Sequence, residues 1–321
     1  MLYAEINHTN LRASKLVLGT DTFGTQVSEQ DAFALLDCYV GAGGNMIDTA
    51  SVYADWLGKG KSISEKTIGK WLVSRGCRDK VIISTKGGHH DLTTLSSRLN
   101  LKSIQEDFEN SLNNLQTDRI DIYWLHKDDP NQEPEAMIEI LNEAVSKDGA
   151  RYLGVSNWTY DRIKRANTYA QEKSLRPIIA SQIQHSIAKL NKAAYGITAM
   201  DEVQYEKYSL DDLNVFAFSS QAKGFFAIME KGGEAALPEK TKQMFWNERN
   251  LERFHRLKTM AQEKNVPIPA LVIAALVCDE KVNTFAQIGP RTLTELDSSL
   301  EEANLRLTQE ERIYLLGTSN G

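Results

Sequence analysis

The chain of 321 residues has only three cysteines, Cys38, Cys77 and Cys278. They form no CxxC pair and no metal-ligand spacing, so neither a zinc site nor a disulfide framework is expected. A reducing, cytoplasmic setting is the simplest expectation. The first residues lack an apolar stretch of signal-peptide length. The most apolar run, residues 270–278, is far short of the ~20 residues that span a bilayer, so it reads as a buried helix with no membrane partner. Basic residues are not in excess either: 37 Lys and Arg stand against 43 Asp and Glu, a net charge of −6. That excludes a nucleic-acid surface. It leaves room for an anionic cofactor, because a few local cations and backbone N–H groups suffice to hold one. No GxGxxG follows the first strand-like run, so a Rossmann sheet is not expected. With no repeat, low-complexity segment or linker, one domain over residues 1–321 is the economical reading.

What is present is an alternation. Short runs rich in β-branched residues lie at 16–18, 45–48, 81–85, 120–125, 151–155, 178–183, 215–219 and 282–288. Helix-period segments separate the early ones, at about 29–39, 63–75, 104–115, 135–147 and 160–172, with Asn100 as a good N-cap for the third. Eight such runs imply an α/β fold with parallel strands and right-handed crossovers. A closed (β/α)8 barrel of the TIM type is the natural result, although an open sheet has the same local pattern. Two insertions break the period, at 186–212 and 222–248. The second lies on the side where barrel active sites are built, as a lid or a passive loop.

Four polar residues fall at or just beyond consecutive strand ends. Asp48 ends the second run and Tyr53 follows five residues later; Lys86 follows the third run and His126 the fourth. Neighbouring strands lie about 4.8 Å apart, so these ends converge at the rim where barrel enzymes place reacting groups. Singly, each has an ordinary role: a turn cap, a rim aromatic, a solvated strand end, a satisfied imidazole. Together they fit one task. An ammonium beside a phenol is expected to lower its pKa, a carboxylate can hold the ammonium, and an imidazole can orient a carbonyl oxygen. Such a set polarises a C=O and protonates the alkoxide formed when hydride arrives.

From end to end the chain resembles the aldo-keto reductase superfamily. The matching stretches are residues 43–53 (GGNMIDTASVY), 84–88 (STKGG), 118–126 (DRIDIYWLH), 154–157 (GVSN) and 289–292 (GPRT). The resemblance implies an NAD(P)H-dependent oxidoreductase that reduces an aldehyde or ketone, with Asp48, Tyr53, Lys86 and His126 as catalytic tetrad and Tyr53 as general acid. It also implies an N-terminal hairpin over about residues 1–14 and NADPH lying extended across the top of the barrel, with NADH less favoured. The superfamily also contains potassium-channel β subunits that hold the cofactor without a metabolic role, and NADH-linked sugar and alcohol dehydrogenases; both remain alternatives.

Ser156 and Asn157 end the fifth run and Gln182 lies near the end of the sixth; amide side chains suit a carboxamide. By resemblance these three hold the nicotinamide carboxamide, and Phe218 stacks on its ring. Ser219, Ser220, Gln221, Ala222 and Gly224 form the phosphate loop, although Ser220 and Gln221 depart from the family's Pro-Leu pair. Gly289 and Arg291 precede the last family helix, where Arg291 suits a 2′-phosphate. Glu295 and Ser299 stand where adenine-contacting Gln and Asn are common, and an anionic Glu295 would weaken phosphate binding. Phe23, Trp56, His89 and Trp158, each shortly beyond a strand end, are candidate walls for a small carbonyl substrate. Trp124 is expected in the barrel core. His89 and His90 lack a third partner, so no metal is expected.

Overall fold

Two antiparallel strands come first, β1 (Tyr3–Glu5) and β2 (Arg12–Ser14). Eight parallel strands follow: β3 (Leu16–Gly19), β4 (Met46–Asp48), β5 (Ile82–Gly87), β6 (Ile120–Leu125), β7 (Ala150–Ser156), β8 (Ile178–Gln184), β9 (Asn214–Phe218) and β10 (Thr284–Ile288). They close into a barrel with β10 paired to both β9 and β3. The helices are α1 (Glu29–Gly41), α2 (Ile63–Arg75), α3 (Leu101–Leu115), α4 (Pro134–Ala144), α5 (Tyr160–Lys173), α6 (Glu202–Ser209), α7 (Phe225–Gly232), α8 (Glu239–Phe245), α9 (Glu248–Lys264), α10 (Ile268–Val277), α11 (Leu293–Leu300) and α12 (Gln309–Leu316). This computed structural model describes residues 1–194, 196–301 and 303–317.

The expected (β/α)8 barrel and N-terminal hairpin are both present. Local chemistry explains the boundaries. The Asn100 side chain accepts from the Ser103 N–H and starts α3 at Leu101, three residues earlier than its apolar periodicity suggests. The run at 270–278 lies mostly within α10, a helix too short to cross a membrane; among the described residues no helix is long and apolar enough to do so.

Strand residues alternate between two cores. Val17, Met46, Ile82, Ile122, Trp124, Phe216 and Phe285 fill the barrel interior, and Ile6, Leu11 and Ala13 of the hairpin close its bottom from the same cluster. Phe216 stacks on Phe285 at 4.8 Å, and Trp124 meets Phe216 edge-on at 5.1 Å. Such aromatic pairs add about 0.5–1.5 kcal/mol each beyond area burial. Trp124 fits only because its partner in register is Gly154, where a Cβ would lie 2.2 Å from the indole. Leu18, Ile47, Ile83, Tyr123 and Leu153 face outward into a larger core under the helices.

The 222–248 insertion is a packed layer. Phe225, Phe226 and Phe245 from α7 and α8 join Leu257 of α9 and Leu271 of α10 in a third cluster. The other insertion carries α6 and sends Ile197 towards the barrel mouth.

Candidate active site

At the C-terminal ends of the strands lies a cavity of about 300 Å³. Lys86 lies beneath its wall residues Asp48 and Tyr53. The side chain is fully buried, and its ammonium donates to Asp48 Oδ2 at 2.5 Å, Thr49 O at 2.7 Å and Tyr53 Oη at 3.0 Å. An ammonium has three hydrogens and no acceptor, so its capacity is filled. Asp48 is held in turn by Ser84 Oγ, which donates to Oδ1 at 2.5 Å, and by Gln182 Nε2 at 3.2 Å. β4 and β5 impose this pairing: Asp48 lies opposite Ser84 in the parallel register, two residues before Lys86. Because Lys86 donates to the Tyr53 oxygen, the phenol hydrogen is left to point elsewhere, and Tyr53 lines the cavity.

His126 follows β6, and its N–H is held by Gly87 O at 2.9 Å. Its ring lies edge-on to Tyr53 with centroids 5.8 Å apart, and edge-on to His89 at 4.8 Å. Burial, aided by the Lys86 ammonium, holds its pKa well below the ordinary 6.5, so the imidazole is neutral at pH 7. Its buried Nδ1 has no hydrogen-bond partner among the described residues.

The Tyr53 pKa corrects the sequence expectation. Lys86 does reach the phenol, but the net shift is upward. Burial pushes Tyr53 well above 10, and the Asp48 and Asp21 carboxylates add to that. Asp48 cancels the ammonium at 2.5 Å, so desolvation of the phenolate dominates. The phenol is therefore fully protonated throughout the neutral range. Burial also lowers the Lys86 pKa, opposed first by Asp48.

The structure gathers Asp48, Tyr53, Trp56, His126, Ser156, Asn157, Gln182, Phe218, Ser219 and Gly289 on the cavity wall. Asn157 sits in the left-handed region at φ 65°, with its amide donating to Ser156 Oγ and His126 O. Left-handed residues also shape the loop after β9: Ser219, Ala222, Lys223 and Gly224 have φ of 55°, 51°, 53° and 77°. The N–H groups of Ala222 and Gly224 are used inside this loop, on Ser219 O and Gln221 O, so the expected row of free amides is interrupted at those two positions. Ser220 is buried and its hydroxyl donates to Gln287 O.

At the start of α11, Thr292 caps the helix and the Glu295 carboxylate accepts from the Arg291 N–H at 2.7 Å. Part of that helix terminus is thus already answered by an internal anion. Ser299 faces back onto Glu295 O.

Three expected wall residues, Phe23, His89 and Trp158, lie elsewhere. Phe23 and Trp158 are core side chains, 1% and 0% exposed, and neither lines the cavity. Phe23 folds back in a bridge with Val27, and the Trp158 indole is anchored by Lys127 O, with Arg162 over its ring. His89 lies behind His126 with its Nδ1 on His90 O. Seven further lining residues escaped sequence reasoning: Gly19, Thr20, Asp21, Lys127, Ile197, Gln287 and Ile288. Thr20 and Asp21 directly follow β3, so the strand-end argument could have found them. Ile197 comes from the 186–212 insertion and carries no such signal. Among the described residues no cluster of three metal-ligating side chains forms.

A family model described as the aldo/keto reductase family matches residues 15–315. An uncharacterized oxidoreductase of Bacillus subtilis, YrpG, is 29% identical over 97% of this chain and 93% of its own. The protein tas of Escherichia coli is 28% identical over 97% and 95%, and an aryl-alcohol dehydrogenase of Pestalotiopsis microspora 27% over 94% and 78%.

Proposed function

The chain belongs to the aldo/keto reductase family, and from that premise we propose that it reduces an aldehyde or ketone with NADPH, Tyr53 giving the proton. The observation that carries this reading is the direction of one hydrogen bond: Lys86 donates to Tyr53 Oη, so the phenol can offer its own hydrogen to an oxygen in the cavity. As the proton leaves, negative charge grows on Oη, and the Lys86 hydrogen bond strengthens with it. Help that increases along the reaction lowers the barrier. His126, neutral and beside Tyr53, orients the carbonyl oxygen towards the phenol. Asp48 fixes Lys86 and keeps the buried ammonium compensated.

The residues present fit a nicotinamide cofactor. Ser156, Asn157 and Gln182 would hold the carboxamide, Phe218 the ring face, and the amides of Ser220, Gln221 and Lys223 the phosphates. Bound, the cofactor supplies the hydride. Arg291 favours the 2′-phosphate of NADPH, whereas Glu295 at the same helix start opposes it and supports NADH as a second reading. Lys127, Asp21 and Trp56 give the entrance a mixed polar and aromatic character. A relative named for aryl alcohols makes aryl aldehydes a natural part of any substrate panel. The three free thiols suit a reducing compartment such as the cytoplasm.

The test is reduction of a panel of aliphatic, aryl and sugar aldehydes by the purified protein, followed by cofactor absorbance with NADPH and NADH in parallel. Turnover of at least one aldehyde is expected. Tight cofactor binding without reduction of any carbonyl would instead support a binding subunit like the potassium-channel β subunits.

A further inference from the structure

A second cavity, of about 810 Å³, opens on the flank of the barrel between the 186–201 segment, α9 and α12. It is larger than the barrel mouth and shares no lining residue with it. Its size lies within the range of small-molecule sites, about 300–1,000 Å³. Its charge runs against that of the whole chain. Six cations line it, Lys189, Lys192, Arg249, Arg253, Lys281 and Arg312, against two carboxylates, Asp201 and Glu202. Glu202 is already paired with Arg249 at 2.6 Å.

Arg253 is the residue that asks for a partner. It is 6% exposed, yet no carboxylate lies within ion-pair distance among the described residues. Its Nε donates to Leu316 O at 3.1 Å and one terminal nitrogen to Ile187 O at 2.6 Å, which leaves the other without an acceptor among the described residues. A buried guanidinium held only by carbonyls carries an uncompensated charge. Nearby, the buried Nδ1 of His185 also lacks a hydrogen-bond partner among the described residues. Ile187, Ala188, Met200, Leu276 and Leu316 add an apolar stretch to a wall that is otherwise mixed.

We infer that this flank cavity binds a small organic anion with an apolar body, such as a medium-chain carboxylate, and that its occupancy is felt at the barrel mouth. The guanidinium meets the acid group and the aliphatic wall covers the tail. The partition between the two cavities is thin. Residues 198–200 line the flank cavity while Ile197 lines the mouth. Thr198 is locked to the mouth residue Asn157 twice: its hydroxyl donates to Asn157 O at 2.5 Å, and its N–H to Asn157 Oδ1 at 3.3 Å. The His185 N–H donates to Phe218 O at 3.1 Å, a second link of the same kind. An anion seated on Arg253 therefore bears on the residues assigned above to the nicotinamide. The binding part of the inference stands apart from that assignment; only the coupling part rests on it.

Calorimetric titration of the full chain with decanoate, and with decanol as neutral control, tests the binding. Decanoate is expected to bind one site and decanol at least tenfold more weakly. Arg253→Gln should weaken decanoate by about 10- to 100-fold, the worth of a charged hydrogen bond. Should that variant fold poorly, Lys189→Glu reverses a charge at the exposed edge and should weaken decanoate, less so at high salt. Equal binding of decanoate by wild type and both variants, or no binding at all, overturns the site. So does displacement of decanoate by Trp56→Ala, which would put the anion at the mouth. For the coupling, saturating decanoate should change the NADPH dissociation constant severalfold in wild type and leave it unchanged in Arg253→Gln. An unchanged constant in wild type, with decanoate bound, would refute the coupling while leaving the site intact. Failure of NADPH to bind with or without decanoate would strike the cofactor assignment instead.

Discussion

The mouth of the barrel and the cavity on its flank are both lined with charge, and they treat it in opposite ways. At the mouth the Lys86–Asp48 pair is internally closed: Lys86 has an acceptor for each hydrogen, and Asp48 accepts from Lys86, Ser84 and Gln182. On the flank, Arg253 is also buried, but among the described residues it meets only carbonyl oxygens. Closed charge fixes geometry, as the proposed proton transfer between defined atoms would require. Open charge leaves free energy to be gained by whatever arrives. Burial alone, then, does not identify a catalytic group. The pattern of partners does.

Breaking the closed network should have the largest consequences. Tyr53→Phe removes one hydroxyl and keeps the ring, so the fold and cofactor binding should persist. Single-turnover reduction should fall by about 10²- to 10⁴-fold, the usual worth of a general acid. Turnover near the wild-type rate would transfer the proton to another donor and end the comparison on the mouth side. Next in size, Lys86→Met strands the Asp48 carboxylate in a buried site. Chemical denaturation should show a loss of about 3–5 kcal/mol, as for other broken buried pairs. A loss below about 1 kcal/mol would mean that the network is not closed at all.

The flank should reveal itself by acid. Burial lowers the His185 pKa from 6.5 to about 4. Above pH 6.5 the ring is neutral in both folded and unfolded chains, and its contribution to stability is fully present. As pH falls from 6.5 towards 4, the unfolded chain takes up a proton that the folded one refuses, so stability is lost, by about 3 kcal/mol. His185→Asn should flatten that part of the pH–stability curve; an unaltered slope would remove His185 from the account. The smallest effect is expected on the exposed rim. Glu295→Gln removes the anion from the start of α11 and should raise the preference for NADPH over NADH by about two- to fivefold. No change in the ratio of dissociation constants would show that Glu295 is screened by water.

Periodicity and strand-end position made the barrel and its four converging polar residues legible before any coordinate was known. Asp48, Lys86 and His126 lie where short apolar runs stop, and the Ile63–Arg75 helix is visible in its spacing. What was hidden depends on direction or on sums of opposing effects. Standing beyond a strand end does not say which way a side chain turns, so Phe23 and Trp158 could not be told from wall residues although both are core. The Tyr53 pKa depends on burial and on Asp48 cancelling Lys86 within one site, which no spacing reports. The partners of Arg253 come from residues 187 and 316, far apart in the chain, so its lack of a carboxylate could only be seen in three dimensions.

The hairpin of β1 and β2 closes the lower end of a barrel already filled by Trp124, Phe216 and Phe285. Traffic is therefore one-ended. Reactant and product must use the same doorway, and one cannot enter until the other has gone. If the proposed reduction holds, a lingering alcohol would obstruct the next aldehyde, and its departure would count towards turnover.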